Sequence, residues 1–199
     1  MPGIVGIIGL ASPENNSVAL QEMIKCMMHE SFYTSGTYIN EQLGLRVGWV
    51  NHSKSFSDCM PIWNEAKNIC LIFSGEDFRE PGEIEGLKAR GHGLGMADAS
   101  YLVHLYEETG PKFFEKLNGW FSGVLVNLRD KSIILFNDRY GLKRIYYHEN
   151  RDGIYFASEA KSLLKVLPEL RQIDHRGMAE TFSCGCVLQN RSLFSGVSL

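Results

Sequence analysis

The spacing of apolar positions changes several times along this chain, and each change marks an element. Residues 4–8, Ile-Val-Gly-Ile-Ile, form a short apolar and largely β-branched run that predicts a buried strand. From Asn15 to Met28 the apolar residues Val18, Leu20, Met23, Ile24, Met27 and Met28 recur at helical spacing, with Asn16 or Ser17 available as a cap. Tyr33–Ile39 and Leu43–Val50 predict a hairpin around Asn40-Glu41-Gln42, and Asn68–Phe73 a short buried strand. Helices are predicted over Pro81–Arg90, Ala97–Glu108 and Lys112–Leu117. Four strands follow at Trp120–Asn127, Ser132–Asn137, Ile145–His148 and Gly153–Ala157, with tight polar turns as in an antiparallel meander, and then a helix at Glu159–Val166. Strand runs framed by helix runs predict an α+β domain built on antiparallel sheet.

Composition narrows this picture. A chain of 199 residues, 44% of them hydrophobic, suits one domain with a core that needs no covalent staples. No apolar stretch approaches the roughly 20 residues that span a bilayer. The opening run lacks the basic flank and cleavage site of a signal peptide, so a cytoplasmic location is expected. A net charge of -3 provides no electrostatic footprint for nucleic acid. The five cysteines are odd in number, and Cys184-Gly-Cys186 is too closely spaced for a zinc knuckle, so reduced thiols are expected. The six histidines form no HxxxH or HExxH pairing and read as surface or packing residues; no metal site is expected. "GHGLG" at 91–95 does not follow a strand, which argues against a phosphate cradle.

Several stretches together carry a resemblance. "GIVGIIG" at the start, "FSGEDF" near residue 75, "ADASYLVHLYEETGPKFFEKLNGWFSGVLVN", "FNDRYGLKRIYY" and "FASEAKSLLK" occur in one order. Singly each is weak; in register they resemble the N-terminal glutaminase domain of asparagine synthetase, a class-II glutamine amidotransferase, over nearly the whole chain. The resemblance implies a four-layer αββα sandwich of the N-terminal-nucleophile type. It also implies that residues 1–199 form one glutaminase-like domain. A synthetase domain using ATP and Mg2+ is expected downstream, in cis or in trans, because the "SGG-x-DS" loop of that domain is not in this chain.

In the resembling enzymes the residue after Met1 is a cysteine whose thiolate attacks the glutamine amide, with its own α-amino group as base. Here that position is Pro2, which has neither thiol nor hydroxyl. The resemblance assigns Arg46 to the glutamine α-carboxylate, which suits a guanidinium fork, and Asp98 to the α-ammonium. Val50, Gly75 and Glu76 complete the implied substrate-binding set. Ser74 and Gly75 occupy the oxyanion position, where the family's Asn-Gly-Glu begins with asparagine; a serine hydroxyl is shorter than that amide. "HESFYTSG" stands where the family has Arg-Gly-Pro-Asp. From the residues alone, Arg46 also fits a strand-surface ion pair and Asp98 a helix cap.

These features predict a domain that has kept the fold of a glutaminase and lost its hydrolysis, within an asparagine-synthetase-related, ATP-dependent ligase. The alternatives are an active domain in which cysteine has been exchanged for Pro2, and a module that binds glutamine or another amino acid without chemistry. Pro2 acting as a general base through its secondary amine is a further alternative.

Overall fold

The computed structural model describes residues 2–9, 13–78, 81–93 and 98–199. In chain order the elements are β1 (Gly3–Ile8), α1 (Pro13–Met27), β2 (Tyr33–Asn40), β3 (Leu45–His52), β4 (Ile62–Trp63) and β5 (Ile69–Asp77). Then come α2 (Glu83–Ala89), α3 (Tyr101–Thr109), α4 (Phe113–Lys116), β6 (Gly119–Asn127) and β7 (Ser132–Asn137). The chain ends with β8 (Tyr146–Asn150), β9 (Gly153–Ala157), α5 (Ala160–Val166) and α6 (His175–Cys184).

Two antiparallel sheets result, one ordered β2-β3-β1-β9-β8 and the other β4-β5-β6-β7. Strand alternation sorts the apolar residues of each into two faces. Ile4, Leu45, Val47, Trp49 and Phe156 of the first sheet meet Cys70, Ile72, Val124 and Val126 of the second between the sheets. Val5, Ile7 and Val50 turn the other way, onto Leu20, Met23 and Met27 of α1 and Leu163 of α5. Leu71, Phe73 and Leu125 likewise pack on Leu102, Leu105 and Phe113 of α3 and α4. The layers are therefore helix, sheet, sheet, helix, as the resemblance implies. No helix among the described residues is long and apolar enough to cross a membrane.

The expected meander is instead two hairpins in different sheets. β6 pairs with β7 in the second sheet, and β8 with β9 in the first. The chain changes sheet through the "DRYGLKR" segment, which Asp138 organises. Its carboxylate accepts hydrogen bonds from the backbone N–H groups of Tyr140, Leu142 and Lys143 at 3.1, 3.0 and 2.7 Å. Burial opposes that charge, but the backbone donors hold Asp138 below the ordinary carboxylate range. A loop wound around one buried carboxylate turns the chain out of the sheet where a two-residue turn would have kept it in.

The strand predicted to end at Phe73 runs on to Asp77, pairing residue by residue with β6 from Ile69↔Asn127 to Asp77↔Gly119. The helix predicted from Ala97, which lies outside the described residues, starts at Tyr101. Asp98 Oδ1 accepts from Ser100 N–H at 2.9 Å, a local bond that competes with helical winding. Helix α6 was not foreseen. Asp174 caps it by accepting from Gly177 N–H at 2.6 Å, and Gly185 ends it in the left-handed region.

The head of β1 is tied to the start of α5. Ile4 N–H donates to Ser158 Oγ at 2.9 Å, and Ser158 N–H returns a bond to Ile4 O at 2.8 Å. A side chain at Gly3 would stand 2.6 Å from Ser158 Cβ, so the two backbones approach only because residue 3 has none. The adjacent Glu159 lies 2.8 Å from Lys161 Nζ and 3.1 Å from His29 Nε2. Burial opposes its charge, but these partners contribute to lowering its pKa from 4.5 to about 2. A carboxylate depressed on folding stabilises the native state fully above the unfolded value and loses that contribution as pH falls through the folded one. Glu159→Gln should therefore lower stability at pH 7 and flatten the decline in urea midpoint between pH 5 and 2. Parallel acid limbs for the two proteins would refute this.

Candidate active site

Strand parity decides what meets at the open end of the space between the sheets. Pro2, immediately before β1, has the parity of Ile4, which faces the second sheet. Ser74 has the parity of Cys70 and Ile72, which face the first. Pro2, Ser74, Gly75 and Glu76 accordingly line one cleft of about 150 Å³, together with His52, Ser55, Phe56, Ser57, Trp120 and Lys143. That volume lies below the roughly 300–1,000 Å³ of ordinary ligand pockets and matches a small side chain rather than a nucleotide.

The cleft floor is rigid. Ser74 is 2% exposed and stands opposite Ser122 in the β5–β6 ladder. Gly75 has φ +127°, and a Cβ there would fall 2.1 Å from the carbonyl oxygen of Trp120, a backbone atom that cannot yield. Asp77 fixes the far end of β5. It accepts from Asn118 N–H at 2.8 Å and from the Tyr101 hydroxyl, joining the strand to α3.

One wall is the loop after β3. Asn51 donates to Asp58 Oδ1 at 2.9 Å and accepts from Thr34 Oγ1 at 2.6 Å, while Lys54 N–H donates to Asp58 Oδ2 at 2.6 Å. Phe56 O accepts from Ala99 N–H at 2.8 Å, which carries the loop to the foot of α3. Ser55 Oγ is buried in this wall with no hydrogen-bond partner among the described residues. Lys143, held at the end of the Asp138 loop, also lines the cleft. His52 stacks on Phe32, ring centroids 5.1 Å apart, so "HESFYTSG" borders the cleft through this imidazole.

The remaining expected residues lie elsewhere. Arg46 is not in the cleft. Its parity directs it to the α1 face, where it is 1% exposed and donates to Ser17 Oγ at 3.2 Å and Glu41 Oε2 at 2.7 Å. It pairs with Ile7, whereas Val50 pairs with Gly3, so Arg46 sits four residues, about 13 Å, along β3 from the cleft end. The side chain of Val50 packs on the same helical face. Asp98 adjoins the cleft wall through Ala99 but spends Oδ1 on Ser100 N–H. His52, Ser55, Trp120 and Lys143 were not anticipated; the "DRYGLKR" motif was the available signal for Lys143.

The thiols nearest the cleft are not activated. Cys59, in the same loop, is raised to about 11 by burial and then by Asp98, so it stays protonated at neutral pH. Cys70 is raised by burial to about 12.

The chain has counterparts among known proteins. Over 82% of its length the chain is 32% identical to "Asparagine synthetase [glutamine-hydrolyzing] 3" of Arabidopsis thaliana, covering 28% of that protein. Over the same share it is 30% identical to "Asparagine synthetase [glutamine-hydrolyzing] 2" of Bacillus subtilis, covering 22%. The chain thus spans about a quarter of the length of these relatives. Among solved structures, the glutamine phosphoribosylpyrophosphate amidotransferase of B. subtilis, complexed with ADP and GMP, superposes with a TM-score of 0.62 at 14% identity. The match covers 82% of this chain and 43% of that one, a likeness of fold alone. The model of the glutamine amidotransferase domain matches residues 1–199 throughout, and the two facing antiparallel sheets agree with it; the chain belongs to the glutamine amidotransferase domain family, alongside the N-terminal glutaminase domains of asparagine synthetases.

Proposed function

We propose that this chain is the glutaminase-like domain of an asparagine-synthetase-related, ATP-dependent amide-forming ligase, and that it does not hydrolyse glutamine. The observation that carries this reading is Pro2 at the head of the central strand, beside Ser74 and Gly75. A family mechanism at that position needs a sulfur to form the thioester, a primary amine to take its proton, and a donor for the oxyanion. A pyrrolidine ring supplies no sulfur, and Ser74 presents a hydroxyl where the family has an amide N–H. The high pKa of Cys59 argues against a substitute nucleophile. ATP and Mg2+ belong, on this reading, to a synthetase domain acting in cis or in trans, and no residue of this chain is assigned to them.

Amino-acid recognition is weakened as well. The guanidinium best suited to an α-carboxylate, Arg46, is committed to Glu41 and Ser17 behind the first sheet. Among the described residues that line the cleft, Lys143 is the basic side chain of the Lys/Arg type, and it offers a point charge without the bidentate fork. Calorimetric titration with glutamine should therefore give a dissociation constant no tighter than millimolar. Low-micromolar binding would show an intact amino-acid pocket and overturn this part of the proposal.

Ammonia release from glutamine by the purified chain, with the state of Met1 verified by mass, should not exceed background. Pro2→Cys returns the thiol and, once Met1 is removed, the primary amine, yet leaves Ser74 in place. One missing oxyanion donor costs about 10²–10³ in rate. The double change Pro2→Cys, Ser74→Asn should exceed the single change by about 10²-fold or more. Turnover by the parent chain, or a single variant as fast as the double, would refute the proposal.

A further inference from the structure

A second cluster of chemistry-bearing side chains lies away from the cleft, on the helical side of the second sheet. Glu65 from the turn after β4, His92 from the segment after α2, and His104 and Glu107 from α3 converge there. One ligand atom from each lies within 4.8 Å of all the others. None of the four lines the cleft that holds Pro2.

Three features set this cluster apart from an ordinary surface ion-pair network. His104 is only 4% exposed, and its Nδ1 is buried with no hydrogen-bond partner among the described residues. Leaving such an atom unpaired costs about 1–3 kcal/mol, so a buried orphan points to an absent partner. Glu65 Oε2 lies 3.2 Å from that nitrogen but outside its hydrogen-bonding direction. Two ligands of a tetrahedral zinc ion, each at 2.0–2.2 Å from the metal, stand about 3.3–3.6 Å apart. A 3.2 Å separation without a hydrogen bond is therefore close to the spacing of two atoms in one coordination shell.

The surroundings are also those of ligands held in place. The His92 and His104 rings lie 4.9 Å apart between centroids, and His92 Nδ1 is 3.8 Å from Glu65 Oε1. The other nitrogen of His92, Nε2, is 2.9 Å from Glu108 Oε1, and Glu108 Oε2 is 3.1 Å from Arg90 Nε. A carboxylate on the far nitrogen of an imidazole fixes its tautomer and orients it toward a metal. Glu107 Oε1 accepts from the buried Asn64 at 2.9 Å and from Arg129 at 2.7 Å, so this carboxylate too is positioned from behind.

We propose that Glu65, His92, His104 and Glu107 form a structural divalent-metal site, suited to zinc with two nitrogen and two oxygen ligands. Four protein ligands close the coordination shell, which is the arrangement of a structural rather than a catalytic ion. The ion would clip the turn after β4 and the end of α2 onto α3. Since α3 holds Asp77 through Tyr101 and follows the Phe56 contact of Ala99, the clip steadies the back of the cleft without entering it.

The test uses the full chain, stripped with a chelator, desalted, and titrated with zinc sulfate by calorimetry. One equivalent of zinc should bind, and the thermal midpoint should rise with zinc concentration. Cobalt(II) in its place should give a visible spectrum without a thiolate charge-transfer band. Because replacing buried His104 threatens folding, the outer ligands carry the test. Glu65→Gln and His92→Asn should each weaken zinc at least tenfold, and the double Cys184→Ser, Cys186→Ser variant should bind as the parent does. Absence of zinc uptake at micromolar concentration would overturn the site. So would undiminished affinity in the combined Glu65→Gln, His92→Asn variant, or loss of binding on removing the two thiols.

Discussion

The cleft depends on β1 being hydrogen-bonded along both edges. Gly3–Ile8 pairs with β3 on one side, from Gly3↔Val50 to Ile8↔Leu45, and with β9 on the other, from Val5↔Ala157 to Ile8↔Ile154. Alternate residues are buried on both faces, Ile4 toward the second sheet and Val5 and Ile7 toward α1. Each such side chain contributes about 1.5–3 kcal/mol by leaving water. Both edges and both faces of β1 are occupied, and the Ser158 bonds to Ile4 close the last gap. The position of residue 2 is thus set by the interior of the protein.

That constraint explains why the fold was more legible than the site. A β-branched run at 4–8, a helical stripe through Leu20, Met23 and Met27, and polar turns between later strands are local signals, and each fixed an element. What the pattern could not convey is which sheet a strand joins. β7 and β8 are separated by a short polar segment that looks like any hairpin turn, and only the winding of backbone N–H groups onto Asp138 sends them into different layers. Helix α6 carried readable start and stop signals in Asp174 and Gly185, but it holds few apolar residues, buries only Gly177 fully and leaves Phe182 86% exposed, which hid it.

In the cleft, Pro2 and the Ser74-Gly75-Glu76 stretch could be read from their order along the chain. Arg46 could not be placed by order alone, because a strand's two faces alternate and one residue of parity moves a side chain through the sheet. Leu45, Val47 and Trp49 already fill the inner face of β3, which leaves Arg46 the outer one. The Glu65, His92, His104 and Glu107 cluster was invisible for a different reason. Its members come from three separate segments with no recurring interval, and the histidines read singly as packing residues; only folding makes them neighbours.

The first sheet also sets a timetable. Its central strand is made long before β9, its neighbour on one edge, so Ile4 waits 154 residues for Ser158. At a synthesis rate of about 5–20 residues per second, on the order of ten seconds or more separates the two on the ribosome. Until then β1 has at most its β3 edge satisfied, and an apolar strand with an open edge invites foreign pairing. Non-local pairing of this kind is also slow to close once both strands exist. During that interval β1 is an exposed, one-sided strand, and residue 2 takes its place in the cleft only after β9 and Ser158 have been made.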